Sequence, residues 1–235
     1  MLNVIKYKIY ELFHMVSFYV IMLVMTVWVL LTSVDYVDED GVENLFNYAK
    51  CFVLDSGFLS MFFVIFLAIY FTAEYKNGFI KSIATNCSKL QLIVGNFIAT
   101  AIVFVVYTVY MLSISVIVGC FVVSDRYFGS VTGLLTSVGL ASVVYLALAA
   151  IILAVSMLAR GTAWPIIIGL MICTQFTYIL TMAVKTLFDL DISKYQISYY
   201  LANLTDDTTA TIVAGSIYFV IFGILSLFIV KKKDV

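Results

Sequence analysis

Charge is what this sequence has least of. Only 11% of its 235 residues are Asp, Glu, Lys or Arg, against 64% hydrophobic ones, whereas soluble domains carry about 25% charged and about 45–50% apolar residues. That imbalance excludes a soluble globular protein, a disordered chain and a nucleic-acid binder. A single proline and 12 glycines argue against a loop-rich or fibrous architecture. A formal net charge of −1 gives no global excess to recruit a polyanion. The one histidine, His14, lies far from any pair of acids, so neither an HExxH zinc site nor a serine–histidine pair within the body of the chain can be assembled. Cys51, Cys87, Cys120 and Cys173 stand singly, in neither a zinc nor a disulfide pattern, and read as small apolar residues. No GxxxxGK[ST] phosphate loop occurs, so the chain is not expected to hydrolyse ATP itself.

What the sequence has instead is long apolar runs. A helix crossing a bilayer needs about 20 mainly apolar residues, because its backbone polar groups must be paired internally. Six stretches qualify, near Met15–Ser33, Ser56–Ala73, Leu92–Val123, Val131–Ala159, Ala163–Val184 and Thr209–Val230. The expected fold is therefore all-α: a polytopic membrane protein with six transmembrane helices, one transmembrane domain over residues 1–235. The third and fourth stretches exceed the hydrocarbon thickness and must tilt, bend or project beyond it. The first is full length and lacks a small-x-small exit site, so no removable signal peptide is expected.

Orientation follows from the basic residues. Lys6, Lys8, Lys76, Lys81, Lys89, Arg160, Lys231, Lys232 and Lys233 fall on one side, against Lys50, Arg126, Lys185 and Lys194 on the other. Eleven of the 14 acids lie on the basic-poor side. Both termini are expected in the cytoplasm, beneath an acidic outer face.

Three segments are not simple spans. In residues 1–14, Leu2, Ile5, Ile9, Leu12 and Phe13 recur at helical spacing, with Asn3, Lys6, Lys8 and Glu11 on the rest of the wheel. This spacing predicts an interfacial amphipathic helix turning into the first span; a plain extension of that span with snorkelling lysines is the other reading. Residues 74–91, EYKNGFIKSIATNCSKLQ, set Phe79, Ile80, Ile83 and Ala84 as a small apolar face behind an Asn77-Gly78 breaker. Such a face suits docking on a soluble partner, and an ordinary positive-inside loop fits as well. Residues 185–208 hold two apolar clusters, Leu187/Phe188/Leu190/Ile192 and Ile197/Tyr199/Tyr200/Leu201, each too short to span. Their aromatics suit the headgroup level, and an outer helical hairpin before the last span is expected.

The span cores hold no charged residue, which weighs against an ion-coupled carrier, since such proteins keep ionisable groups at membrane depth. Among their polar residues are hydroxyls and the Gln175 amide. Thr174, Thr177 and Thr181 share a face of the fifth stretch beside Gln175; interhelical hydrogen bonding is favoured there over contact with a substrate. The fourth stretch is rich in small residues, with Gly129/Gly133, Ser137/Ala141 and Ala147, Ala149, Ala150 and Ala154, a spacing that lets helix backbones approach. Whether the partner is this chain or another stays open.

Taken together, the N-terminal helix, six spans with both ends inside, an E-x-x-x-G-x-x-K loop and an outer hairpin resemble the permease subunit of ABC transporters of the ABC-2 exporter type. Glu74, Gly78, Lys81, Ser88 and Lys89 stand where that family's first cytoplasmic loop has its acid, glycine, lysine, serine and second basic residue. Lys89 replaces the family's common arginine. The resemblance implies that residues 74–91 form a coupling helix, with Phe79, Ile80 and Ile83 on its docking face. It implies partners as well: a separate ABC ATPase subunit that holds ATP and Mg, and a second permease copy in a homo- or heterodimer. No cofactor is expected on this chain. The implied setting is a bacterial cell membrane, and the implied task is export of, or resistance to, amphipathic peptides, bacteriocins or antibiotics. Two rivals remain: a self-contained channel or secondary carrier, and a membrane immunity protein that sequesters a toxin.

Overall fold

Apolar runs without internal proline close their own backbone hydrogen bonds, and in the computed structural model every long run of this chain is helical. Described are residues 2–33, 44–55, 57–76, 88–123, 131–159, 161–174, 176–189, 192–193, 196–204 and 208–232. Among them the helices are α1 (Leu2–His14), α2 (Val16–Thr32), α3 (Leu45–Lys50), α4 (Phe58–Lys76) and α5 (Lys89–Val122), then α6 (Val131–Leu158), α7 (Ala163–Cys173), α8 (Phe176–Phe188), α9 (Ile197–Ala202) and α10 (Thr208–Lys232). No strand forms among the described residues.

The long helix α5 organises the bundle. Its 34 residues extend about 51 Å at 1.5 Å per residue, well beyond a hydrocarbon core of about 30 Å. The surplus at each end is a docking surface. At its start, a Cβ on Gly95 would stand 3.2 Å from Val4 Cγ1 of α1. At its finish, a Cβ on Gly119 would meet Leu45 at 2.5 Å and Tyr48 at 2.8 Å, both on α3. Two glycines thus admit two short helices, one at either end of the same rod.

Aromatic side chains join the middle of α5 to its neighbours. Tyr107 stacks on Phe18 of α2 at 5.2 Å and meets Phe66 of α4 edge-on at 5.6 Å. Phe104 lies 4.6 Å from the Tyr145 ring of α6, which in turn packs edge-on against Phe63 of α4 at 5.0 Å. Ala141, Ala147, Ala149, Ala150 and Ala154 of α6 are all buried, and α6 packs along α10, α4 and α7. The small-residue stripe is therefore used within this chain; Gly133 is exposed and Gly129 lies outside the described residues.

Three sequence expectations are corrected. The second span was expected to begin near Ser56, yet residues 45–55 already form α3 and a π-helical turn over Cys51–Asp55. Leu45, Tyr48, Ala49, Phe52, Val53 and Leu54 are buried there, because their apolar spacing packs against α5 despite the acids around them. The third span starts earlier than Leu92: Ser88 caps α5 and receives the Gln91 backbone N–H, while the Gln91 side chain accepts from the Ser88 N–H, a capping box.

The fifth stretch is not one helix. α7 ends after 11 residues, about 16 Å and half of a crossing. Thr174 then adopts extended backbone (φ −99°, ψ 175°), its N–H bonded to the Leu170 carbonyl. Polar Thr174 and Thr177 let the chain leave the helix and resume as α8, where the Thr177 hydroxyl donates to the Thr174 carbonyl at 3.2 Å. Four tracts are long and apolar enough to cross a membrane (within Leu45–Ala73, Leu90–Val122, Thr132–Leu158 and Thr208–Lys232), and α1 with α2, bent by 53°, makes a fifth candidate. Six uninterrupted spans are not what the described residues form.

α7 enters the core through Gly169, whose added Cβ would collide with Val64 of α4 and stand 2.8 Å from Ile152 Cδ1 of α6. Gly169→Ala is expected to cost about 1–3 kcal/mol by overpacking. Val64→Ala in the same chain should recover part of that loss. Thermal unfolding in detergent, run as a double-mutant cycle, checks it: additive effects would show that α7 does not pack here.

Candidate functional site

The segment singled out by sequence runs from the end of α4 to the start of α5. Glu74 lies in the last turn of α4, Ser88 is the cap residue of α5 and Lys89 opens its first turn. Gly78, Phe79, Ile80, Lys81 and Ile83 lie outside the described residues. What is described is the frame that presents them, two helix ends with the exposed cap residue Ser88 at one margin.

α1 braces that frame. Val4, Lys8 and Leu12 are buried along one of its faces, at a four-residue step that places them in a single row. The expected apolar face was rotated from this one: Ile5 and Ile9 are half-buried, while Tyr10 and Phe13 are exposed. Lys8, assigned by sequence to the polar side, has no exposed surface. The physical reason is the partner. Gly95 of α5 offers a flat backbone on which the lysine stem lies, 3.6 Å from a Cβ placed there. Beyond the stem, the ammonium reaches to within 3.8 Å of Glu11 and 5.6 Å of the Tyr70 ring centroid of α4. An apolar wheel cannot show that a cation will find a ring on another helix.

The expected polar face of the fifth stretch is divided by the break. Thr174 ends α7, Thr177 and Thr181 lie on α8, and Gln175 lies outside the described residues. The Thr181 hydroxyl donates to the Thr177 carbonyl at 2.8 Å, so both described bonds of this set remain within the segment. Hydroxyls that bond the carbonyl a turn earlier in this way need no interhelical partner.

Other side chains make the interhelical polar contacts. Thr26 of α2 and Tyr110 of α5 are 2.8 Å apart between hydroxyls, and Tyr107 donates to the Phe18 carbonyl at 3.3 Å. The sequence did carry a signal for these: a tyrosine within an apolar helix needs a partner for its hydroxyl. The Ser60 hydroxyl of α4 donates to the Gly57 carbonyl, within its own segment. Above Ser60 and Tyr145, the π-helical turn and the segment around α9 leave a crevice lined also by Val53, Leu54, Gly57, Leu201 and Leu204. It has room for about one water.

A family model described as ABC-2 family transporter protein matches residues 4–175, from the first turn of α1 through the break that follows α7. No curated protein matches the chain.

The Ser88–Gln91 box fixes where the segment ends and α5 begins. Ser88→Ala is expected to cost about 1 kcal/mol and to speed amide exchange at residues 89–92 while leaving the middle of α5 protected. Hydrogen-exchange mass spectrometry in detergent checks this; unchanged exchange at the helix start would mean that the box does not hold it.

Proposed function

The chain belongs to the ABC-2 transporter family, a membrane component of ABC transport distinct from the ATPase, and from that premise we propose that it is the permease subunit of an ATP-driven exporter, worked by a separate ATPase docked on residues 74–91. The observation that carries this reading is the extent of the match, whose limits, residues 4–175, include that segment. The packing supports it. The segment joins the two helices, α4 and α5, that make most of the aromatic contacts at the centre of the bundle, so a force on it acts on the bundle and not on a free loop.

In this reading the α1 end faces the cytoplasm, in accord with the lysine distribution, and the protein sits in a bacterial cell membrane. ATP on the partner must bind one arrangement of the transporter better than another, or nothing moves. Glu74, Gly78, Lys81, Ser88 and Lys89 frame the docking helix, and Phe79, Ile80 and Ile83 supply its apolar contacts. Two permease copies enclose the path. The substrate class that suits uncharged, aromatic walls is an amphipathic or hydrophobic molecule such as a peptide, bacteriocin or antibiotic; Thr174, Gln175, Thr177 and Thr181, at the break, are the polar groups that would meet it.

The test is a detergent pull-down of the tagged chain from its native membrane, with co-purified subunits identified by mass spectrometry. A P-loop ATPase should be recovered in near-equal amount with the chain. Phe79→Asp with Ile83→Asp should remove it by about tenfold or more, as expected when charges enter an apolar docking face, while the variant still reaches the membrane. Recovery of the chain alone, in detergent that keeps other ABC complexes whole, would instead favour a self-contained carrier or an immunity protein.

A further inference from the structure

Lys8 is a fully buried cation in a protein whose apolar stretches are otherwise free of charge at their cores. Removing a cation from water is costly unless it is paired, and an apolar residue of the same length would fill the space at lower cost. The best-attested use of such a group is to fix how two elements register against each other. Here its contacts fall on three helices. The stem crosses Gly95 of α5, the ammonium faces the Tyr70 ring of α4, and Glu11 closes the pair from one turn further along α1. α4 and α5 are the two helices that flank residues 77–87. On its other side α1 meets α2 through a 53° bend at Met15, which has extended backbone (φ −77°, ψ 121°).

We infer that Lys8 is a positioning residue: it clamps α1 to the last turns of α4 and the first turns of α5, so that these three helix ends move as one body and Met15 is the hinge between that body and α2. The inference gives the proposed permease a defined moving part, and it rests on that reading only for what drives the motion. The clamp directs displacement of residues 74–91 into α1 as well as into α4 and α5. The Met15 bend then absorbs it before α2.

The experiment uses the full chain in its native membrane, with Cys51, Cys87, Cys120 and Cys173 replaced by serine and the pair Val4→Cys/Gly95→Cys introduced. Val4 Cγ1 lies 3.2 Å from a Cβ at Gly95, within reach of a disulfide. Oxidation by copper phenanthroline is followed through the loss of maleimide-PEG labelling. Lys8→Met, which keeps the length and loses the cation, should slow closure by about tenfold, and Lys8→Arg should restore it to within about threefold. Closure as fast with Met as with Lys, or as slow with Arg as with Met, would overturn the clamp. Should Lys8→Met fail to reach the membrane, Tyr70→Leu and Glu11→Gln decide in its place: both should slow closure, and unchanged rates in both would overturn the inference. In the co-purified ATPase complex the closed disulfide should leave ATP hydrolysis within about twofold; a loss regained on reduction would show that α1 must part from α5 and would equally overturn it. A chain that recruits no ATPase but closes the disulfide in a Lys8-dependent way defeats the permease reading and leaves the clamp standing.

Discussion

A helix inside hydrocarbon must satisfy its own backbone, and it gains nothing from hydrophobic burial against a neighbour, since lipid tails are as apolar as leucine. Close packing and a few polar contacts must therefore supply the specificity that burial supplies in water. The bundle shows this at Gly95, Gly119, Gly169 and Gly215, where Val4, Tyr48, Val64 and Val143 occupy the space of a missing Cβ. Each is a point at which one helix approaches another's backbone. α5 has two of them, one near each end, and its length is explained by the need to reach both. A side chain at Gly119 would push α3 from its seat on the rod, whereas one at Gly95 needs only that Val4 of α1 give way or be smaller.

The same constraint explains where polar groups stand. Hydroxyls within the spans mostly bond carbonyls of their own helix, as Ser113 does with Val109, Ser137 with Gly133 and Ser226 with Phe222, and so are tolerated without a partner across the interface. Among the described residues, hydroxyl contacts that cross between helices involve tyrosine, as Tyr110 with Thr26 and Tyr107 with the Phe18 carbonyl show. Tyrosine has the reach to bring a hydroxyl across an interhelical gap while its ring stays in the packing. Lys8 is the limiting case of this behaviour, with a long apolar stem and a polar head placed on a neighbouring helix.

Much of the architecture was legible because hydrocarbon thickness imposes length and polarity on the chain. The helices near Leu92–Val123, Val131–Ala159 and Thr209–Val230 follow from apolar runs alone, and the turn from α1 into α2 follows from the change to an amphipathic wheel. What sequence missed depended on tertiary partners. Residues 45–55 were hidden because the acids before them, and Asn47, Lys50 and Asp55 within them, interrupt the apolar run, while their apolar spacing had meaning only against α5. The break at Thr174 was hidden because window hydropathy averages over two polar residues. The Ser88–Gln91 box, in contrast, was fully visible as S-x-x-Q and was read as part of a loop. Of the candidate site, the frame of Glu74, Ser88 and Lys89 is now placed on helix ends, and the hydroxyls of Thr177 and Thr181 are assigned to their own backbone.

The two departures from regular helix, at Met15 and at Thr174, have a common logic. Each lies beside a contact that ties one flank to the bundle: Lys8 with Tyr70 and Glu11 on the α1 side of Met15, and Gly169 against Val64 and Ile152 on the α7 side of Thr174. Beyond Thr174 the chain is held more loosely, with Ile179, Leu187 and Phe188 of α8 largely exposed, whereas beyond Met15 α2 is itself tied to α5 through Phe18 and Thr26. A break adjoining a pinned segment localises bending at its own backbone. The fold therefore pairs a rigid centre, α4, α5 and α6 joined by Phe63, Phe104 and Tyr145, with two arms whose junctions are set by backbone geometry. The proposed ATP-driven permease would need both properties in one chain: a body stiff enough to carry force and few enough joints that the force has a direction.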